Sequence, residues 1–192
     1  MEKKKNSFTI SIMGVDGSGK TTLSKKLQKK FKQSKYLHLR PYFIFKDFRR
    51  VVRNPHNQKK SISIVSFLRL LFWLMSYKIF FYKNKNKKLY IFDRYVHDIL
   101  IDPLRYKHNL SNLLTKLILS FFPVPDLWIF LKPSFKTIKK RKVEISDSEI
   151  RRQTKEYYNF FKNKKNVLIL TSNNQSKILI TTIKNKINFL NK

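Results

Sequence analysis

The stretch "IMGVDGSGKTTL", residues 12–23, contains every glycine of this 192-residue chain, which has no alanine at all. Glycine lets the backbone adopt positive φ and lets N–H groups approach a ligand closely. The spacing G-x-x-x-x-G-K-[ST] is that of a loop whose amides surround nucleotide phosphates while its lysine reaches the outer ones. It is met by Gly14, Gly19, Lys20 and Thr21. A chance match in a surface turn is the alternative, and the flanking sequence argues against it.

The sequence on either side of this loop predicts a strand before it and a helix after it. "FTISIM", residues 8–13, alternates as a short strand, and Leu23, Leu27 and Phe31 recur at the four-residue spacing of a buried helix stripe. Four further apolar runs alternate with helical stretches, at residues 36–39, 89–92, 127–131 and 167–171. This alternation predicts an α/β fold, the P-loop NTPase three-layer sandwich with a five-stranded parallel sheet, as one domain over residues 1–192.

Two stretches outside the predicted sheet carry further structural expectations. The polar, basic stretch 46–60 is predicted to be an exposed loop. Near the C-terminus an apolar stripe predicts a last amphipathic helix, with Ser176 as its N-cap. The stripe consists of Leu179, Ile183, Ile187 and Leu190.

Composition limits the function classes. The chain has no cysteine, which excludes disulfides, a thiol nucleophile and a cysteine-ligated zinc, and its four histidines show no metal-binding spacing. The net charge of +32 would suit nucleic acid or an anionic membrane. The abundance of lysine, asparagine, isoleucine and phenylalanine is also what an A/T-rich gene would encode. Because no nucleic-acid-binding motif accompanies the charge, we expect no specific nucleic-acid partner. No cleavable signal pattern follows the basic N-terminus, which predicts a cytoplasmic protein.

Residues 61–82 form the longest apolar stretch, with only Arg69 and Lys78 charged. The length would suffice for a membrane span. Two cations near its middle disfavour one. We therefore predict a core helix that is apolar on two sides, with no transmembrane span and with its second side in a subunit interface.

A second candidate site follows the predicted third strand, in "LYIFDRYVHD", residues 89–98. Asp93 and Arg94 stand where a parallel strand ends, which is the edge at which open α/β sheets bind ligands. A carboxylate there can serve Mg²⁺, and the adjacent guanidinium can grip a phosphate with two hydrogen bonds. The plainer alternative is that Asp93 caps the next helix and Arg94 pairs with a neighbour.

Together, "GVDGSGKTT" and "FDRY" resemble the thymidylate kinase family of P-loop nucleoside monophosphate kinases, in a divergent form. Weaker similarities are "LRP" at residues 39–41, "PDLWIFL" at 125–131 and "RKVE" at 141–144. The resemblance implies an ATP-binding loop, with Lys20 on the β and γ phosphates and with Thr21 and Asp93 serving Mg²⁺. The residues implied to hold ATP are Gly14, Asp16, Gly17, Ser18, Gly19, Lys20, Thr21 and Thr22.

The resemblance also implies an acceptor side and a lid. Asp16 would approach the acceptor sugar, Arg94 the acceptor phosphate, with Arg40 as a second candidate, and Phe72 would stack on the base. Gly17 stands where some family members carry an arginine, so the charge-stabilising arginine is expected from a lid at about residues 133–152. Arg141 is the leading candidate there, with Arg151 and Arg152 beside it. Ser146 and Glu149 fit a capping box that starts the next helix. A homodimer is implied as well.

Three departures from the family pattern affect the acceptor pocket. Ser76 replaces an arginine one turn after Phe72, Asp98 and "ILIDPLRY" replace the usual run after "DRY", and Lys132 stands where an aspartate often ends the fourth strand. The leading hypothesis is therefore an ATP-dependent nucleoside monophosphate kinase, most simply converting dTMP to dTDP. The alternatives are a P-loop kinase of a sugar phosphate or glycan precursor, and a basic protein that binds nucleic acid or a membrane surface.

Overall fold

The computed structural model describes residues 7–41, 59–84, 89–132, 146–171 and 175–190. The predicted loop at 46–60 lies outside these ranges apart from its last two residues, and so does most of the predicted lid, including Arg141.

Five parallel strands form one sheet in the order β2-β3-β1-β4-β5. They are β1 (Phe8–Met13), β2 (Ser34–His38), β3 (Leu89–Asp93), β4 (Leu127–Lys132) and β5 (Val167–Thr171). The five predicted strands are confirmed, with ends displaced by at most two residues. The largest displacement is at β2, where Ser34 and Lys35 already pair with β3.

In the described residues, five helices cover the two faces of the sheet, which confirms the three-layer sandwich. They are α1 (Lys20–Lys30), α2 (Ser63–Lys83), α3 (Asn112–Leu119), α4 (Asp147–Lys162) and α5 (Ser176–Leu190). Helices α2, α3 and α4 pack on one face of the sheet, and α1 and α5 pack on the other. Alternate strand residues supply the two cores: Ile10 and Ile12 face α1 and α5, whereas Tyr90 and Phe92 face α2. This alternation is the period of two that a strand buried on both faces requires.

Helix α2 has the two-sided character that its sequence predicts. Leu70, Trp73 and Tyr77 lie in the core, while Leu68 and Met75 are exposed. The helix is long and apolar enough to cross a membrane by length and composition alone. Arg69, in the second turn of this helix, is half-buried and donates to the carbonyl oxygen of Tyr106.

The helix starts agree with the sequence in one case and differ in the other. Ser146 caps α4 as predicted, with its hydroxyl accepting from the Glu149 amide at 3.3 Å. Helix α5 begins at Ser176, so the prediction that this residue is the N-cap is wrong by one position. The Ser176 hydroxyl instead accepts a hydrogen bond from Lys26 on α1 at 2.7 Å.

Candidate functional site

The phosphate loop, residues 14–22, joins β1 to α1 at the carboxyl edge of the sheet. Gly14 adopts a φ of +153°, and a Cβ there would lie 2.5 Å from the carbonyl oxygen of Leu131, so only glycine fits. Gly17 and Gly19 adopt φ values of 82° and 93°. Helix α1 begins at Lys20, and the amides of its first turn have no helical acceptor. A helix start of this kind, with open amides and the positive end of the dipole, binds anions.

The Lys20 side chain is buried within the loop. Its Nζ donates to the carbonyl oxygen of Val15 at 2.8 Å and lies 3.7 Å from a carboxylate oxygen of Asp16. Burial, with a contribution from the positive charge of Arg94, lowers the pKa of Lys20 to about 8. The ammonium is therefore short of compensating negative charge, which a bound phosphate would supply.

Thr21 and Asp93 meet across the cleft. The Thr21 hydroxyl donates to Oδ2 of Asp93 at 2.6 Å, and the Tyr36 hydroxyl donates to the same oxygen at 3.0 Å. Nδ1 of His38 lies 3.5 Å from it. Burial raises the pKa of Asp93, but the hydrogen bond from His38, the charge of Lys20 and the hydrogen bond from Thr21 outweigh burial and bring that pKa down to about 2.

This oxygen set fits a magnesium ion. Oδ1 of Asp93 is buried and accepts no hydrogen bond from the described residues, so an ionised carboxylate oxygen remains for a cation. Mg²⁺ usually takes one or two protein oxygens and fills the rest of its shell with water and substrate phosphates. Within the described ranges, no group of three or more histidine, aspartate or glutamate side chains is placed to hold a metal ion.

Arg94 follows β3 directly and has a φ of 70°, a strained conformation for a residue that is not glycine. One terminal nitrogen of its guanidinium donates to Asp16 and the other to Asp98. Burial opposes the charged form, but these two carboxylates outweigh burial and hold the pKa of Arg94 well above its ordinary value. The guanidinium is thereby held in one orientation at the edge of the cleft.

The strand-end segment, residues 94–106, continues from Arg94 through two short 3₁₀ helices, Val96–Leu100 and Leu104–Tyr106. Asp98 is fully buried within it and accepts from the hydroxyl of Tyr106 at 2.6 Å. The Tyr157 hydroxyl, from α4, lies between Asp98 and the carbonyl oxygen of Gly14, 3.0 Å from the latter. Arg105 donates to the second carboxylate oxygen of Asp16. Sequence pattern does not predict the polar contacts of Tyr36, Tyr157 and Arg105, because their partners are distant along the chain.

Ten residues from these elements line one cleft of about 410 Å³ at the carboxyl edge of the sheet. Its lining includes eight residues predicted from the sequence, with His38 and Arg105 in addition. The eight are Asp16, Gly17, Gly19, Lys20, Thr21, Thr22, Asp93 and Arg94. Ser18 is buried in the loop behind them, and Gly14 packs against β4.

Arg40 and Phe72, the other two predicted acceptor residues, contact each other instead of lining the described part of the cleft. The Arg40 guanidinium lies 5.8 Å from the Phe72 ring centre and 5.3 Å from that of Trp73. Ser76, one turn after Phe72, is buried and donates to the Phe72 carbonyl oxygen at 2.8 Å. The position where the family carries an arginine is therefore occupied by a hydroxyl bonded within its own helix.

Of the lid candidates, Arg151 and Arg152 lie on α4. Arg152 pairs with Glu149 at 2.7 Å and donates to the carbonyl oxygen of Ile101 at 3.0 Å. This second contact ties the start of α4 to the strand-end segment.

Comparisons with known proteins agree with this architecture. A sequence model of the family described as "Thymidylate kinase" matches residues 12–191. No curated protein matches the sequence significantly. Among solved structures, thymidylate kinase from Candida albicans is 17% identical with a TM-score of 0.63, covering 97% of this chain and 94% of its own. Deoxyadenosine kinase from M. mycoides with bound dATP is 23% identical with a TM-score of 0.58, covering 94% and 99%.

Thymidylate kinase from Ehrlichia chaffeensis is similar at 17% identity and a TM-score of 0.59, covering 95% of this chain and 99% of its own. At these identities the structural matches establish the fold, whereas the sequence model spans nearly the whole chain. The chain belongs to the thymidylate kinase family of P-loop nucleoside monophosphate kinases.

Proposed function

We propose that this protein transfers the γ-phosphoryl group of ATP to dTMP, giving dTDP and ADP. The observation that carries the proposal is the cleft itself, which brings Lys20, Thr21, Asp93 and Arg94 together at one edge of the sheet. Such a site needs no covalent protein intermediate, because phosphoryl transfer is promoted by positioning and by charge stabilisation.

Each side of the cleft has a distinct part in this reaction. The amides of the phosphate loop and the Lys20 ammonium bind the donor phosphates. Thr21 and Asp93 would hold Mg²⁺, which neutralises phosphate charge when bound. Arg94 orients the acceptor phosphate, one oxygen of which attacks the γ-phosphorus while the bond to the oxygen of the ADP leaving group breaks. Asp16, at the junction of the two sides, lies where an acceptor would approach.

We further propose that residues 133–152 form a lid that supplies Arg141 to the transferred group. The described end of this region supports a lid that is connected to the strand-end segment, since Arg152 bonds both Glu149 and the Ile101 carbonyl oxygen. A cation brought in when the lid closes would stabilise the charge that develops on the phosphoryl group.

A kinase acting on a sugar phosphate or glycan precursor is the second candidate. It is favoured by Ser76, whose hydroxyl is bonded to the Phe72 carbonyl oxygen and leaves no base-reading cation on that turn. Phe72 itself is stacked against Arg40. The phosphate-binding parts of the cleft would serve either acceptor.

We propose a cytoplasmic homodimer that joins through α2 and has no specific nucleic-acid partner. A stripe of large apolar side chains on α2 faces away from the core. It consists of Ile64, Leu68, Phe72, Met75 and Tyr82. An apolar face of this length on a soluble protein marks an interaction surface. Light scattering without detergent should give a dimer, and Leu68→Lys should give a monomer. A wild-type monomer, or a requirement for lipid to remain soluble, would contradict the dimer.

An acceptor screen tests the activity. ADP formation is measured with ATP and Mg²⁺ against dTMP, the other deoxynucleoside monophosphates, and glucose 1- and 6-phosphates. The dTMP proposal predicts the highest kcat/KM for dTMP. If a sugar phosphate gives the highest kcat/KM, the second candidate is established. Salt-sensitive DNA binding without acceptor-dependent ADP formation would instead favour a basic protein that binds nucleic acid.

A further inference from the structure

Arg105 is a cleft residue that the family resemblance does not assign. It lies on the short helix Leu104–Tyr106, and its guanidinium reaches Asp16 in the phosphate loop, 89 residues away in the sequence. It lines the same cleft as Lys20 and Asp93. A cationic side chain from the strand-end segment therefore lies in the cleft beside the phosphate loop.

The backbone around Arg105 is held by several independent contacts. The Arg105 amide bonds to Asp102 at 3.3 Å. The next residue, Tyr106, donates its hydroxyl to Asp98, packs edge-on against Trp73 with ring centres 6.0 Å apart, and accepts from Arg69 through its carbonyl oxygen. These contacts hold the backbone of Arg105 in one position, as a binding residue requires.

Arg94 and Arg105 differ in how their guanidinium groups are engaged. Arg94 is 5% exposed, and both of its terminal nitrogens donate to buried carboxylates. Arg105 is 21% exposed and donates to Asp16 through one terminal nitrogen. A guanidinium carries five N–H donors in a planar fork that suits two phosphate oxygens. Of the two guanidinium groups that line the cleft, that of Arg105 is the more exposed and bonds fewer carboxylates.

We propose that Arg105 binds the phosphate of the acceptor and that Asp16 is the positioning residue that holds Arg105 in the cleft. The inference rests on the proposed phosphotransfer function and adds a second arginine to its acceptor phosphate site. Asp16 accepts from both arginines through different oxygens, so its carboxylate sets the separation of the two guanidinium groups. Arg94 fixes this arrangement from the buried side, and Arg105 completes the contact to the phosphate.

The test measures how strongly the protein prefers a phosphorylated acceptor. Calorimetry without ATP compares dTMP with thymidine, and glucose 6-phosphate with glucose, for wild type, Arg105→Met and Arg105→Lys. Steady-state kinetics give KM and kcat for the preferred acceptor and for ATP. The matched control is Lys162→Gln, which removes one positive charge from an exposed position on α4. Thermal unfolding verifies that each variant is folded.

Arg105→Met should raise the acceptor KM roughly 10- to 100-fold, the effect of losing hydrogen bonds to a charged group, while the ATP KM changes less than twofold. The preference for phosphorylated over unphosphorylated ligand should fall by the same factor. Arg105→Lys should recover part of it, and Lys162→Gln should match wild type. An unchanged acceptor KM, an equal rise in the ATP KM, or a wild type with no preference for phosphorylated ligands would overturn the proposal.

A double variant tests the role of Asp16. If Asp16 acts through Arg105, Asp16→Asn should raise the acceptor KM in wild type and have at most half that effect, on a logarithmic scale, in the Arg105→Met background. Fully multiplicative effects would remove Asp16 from the proposal. If the Arg105-dependent preference for phosphate is found but no acceptor yields ADP, the binding role stands and the proposed catalytic function fails.

Discussion

The two sides of the cleft are built in different ways. The phosphate loop is a contiguous stretch, residues 14–22, whose conformation follows from three glycines and a helix start. The strand-end segment depends on side chains brought from far along the chain: Arg94 meets Asp16 over 78 residues, and Tyr157 meets Asp98 over 59. A local motif can be read from the sequence, whereas contacts between distant residues arise only with the fold. The donor side should therefore follow family behaviour closely, and the acceptor side should be specific to this chain.

The largest effect should come from Lys20→Met on the donor side. Loss of the ammonium should lower kcat/KM about 1000-fold, the upper range for removing one preorganised donor. Because burial lowers the pKa of Lys20 to about 8, unfolding takes up a proton between about pH 8 and 10.5. Wild-type stability should rise with pH in that window, and the variant's should not.

The same substitution removes a desolvated charge. It should therefore not lower the free energy of unfolding at pH 7, and should raise it by up to about 3 kcal/mol. Lys25→Met, at an exposed position of α1, is the matched control and should leave both activity and stability unchanged. Near-normal ADP formation by Lys20→Met would show that the loop does not bind the donor.

On the acceptor side, Arg94→Lys should lower kcat/KM for the acceptor. The expected loss of transition-state stabilisation is about 2 to 4 kcal/mol. Lysine keeps the charge but cannot bond Asp16 and Asp98 with a planar fork. ATP affinity measured by calorimetry should change less than about twofold, because lysine keeps the positive charge beside Asp16, where Arg94 contacts the loop. Loss of ATP binding with an unchanged order of acceptor preference would show that Arg94 belongs to the donor side.

Asp93→Asn changes the carboxylate at the end of β3 that accepts a hydrogen bond from Thr21 of the phosphate loop. The Mg²⁺ concentration for half-maximal rate should rise roughly tenfold or more, the scale seen when a partner of a bound metal is altered. The pKa of Asp93 is depressed to about 2, so its ionisation stabilises the fold above about pH 4, and this contribution is lost as the pH falls toward 2.

By that shift the stabilisation is about 2 kcal/mol at neutral pH. The difference in unfolding free energy between wild type and Asp93→Asn should therefore shrink below pH 4. Asp126→Asn, at the opposite end of the sheet where Asp126 bonds the Thr9 amide, should not change the Mg²⁺ dependence. An unchanged magnesium titration for Asp93→Asn would leave that residue with a structural role alone.

The sequence was sufficient for the strands, the phosphate loop and the pair at the end of β3, because each depends on local pattern. It was insufficient for Tyr36, Arg105 and Tyr157. These are ordinary aromatic and basic residues in a chain rich in both, and only the sheet and helix packing brings their polar atoms to Asp93, Asp16 and Asp98. Phe72 shows the converse. The family resemblance predicts that its ring stacks on a base, but the Arg40 guanidinium lies 5.8 Å from the ring centre.

The smallest expected effect concerns Tyr157, whose hydroxyl is one of the links between the two sides. It lies 3.0 Å from the Gly14 carbonyl oxygen and bonds Asp98 beside Arg94. Burial, reinforced by the charge of Asp98, raises the pKa of Tyr157 well above its ordinary value, so the group is a neutral donor at every working pH.

Tyr157→Phe should lower the unfolding free energy by about 1 kcal/mol, the net value of one buried hydrogen bond, and reduce kcat/KM by a small factor. The ring packing on Phe130, with centres 5.3 Å apart, is kept. Tyr158→Phe is the matched control: that ring also contacts Phe130, but its side chain is 37% exposed, so loss of its hydroxyl should change neither quantity. Equal effects of the two substitutions in thermal unfolding and steady-state kinetics would mean that the two sides of the cleft are not coupled through α4. If Tyr157→Phe loses more transition-state stabilisation than free energy of unfolding, the hydroxyl acts by aligning donor and acceptor, because the substitution keeps the ring packing.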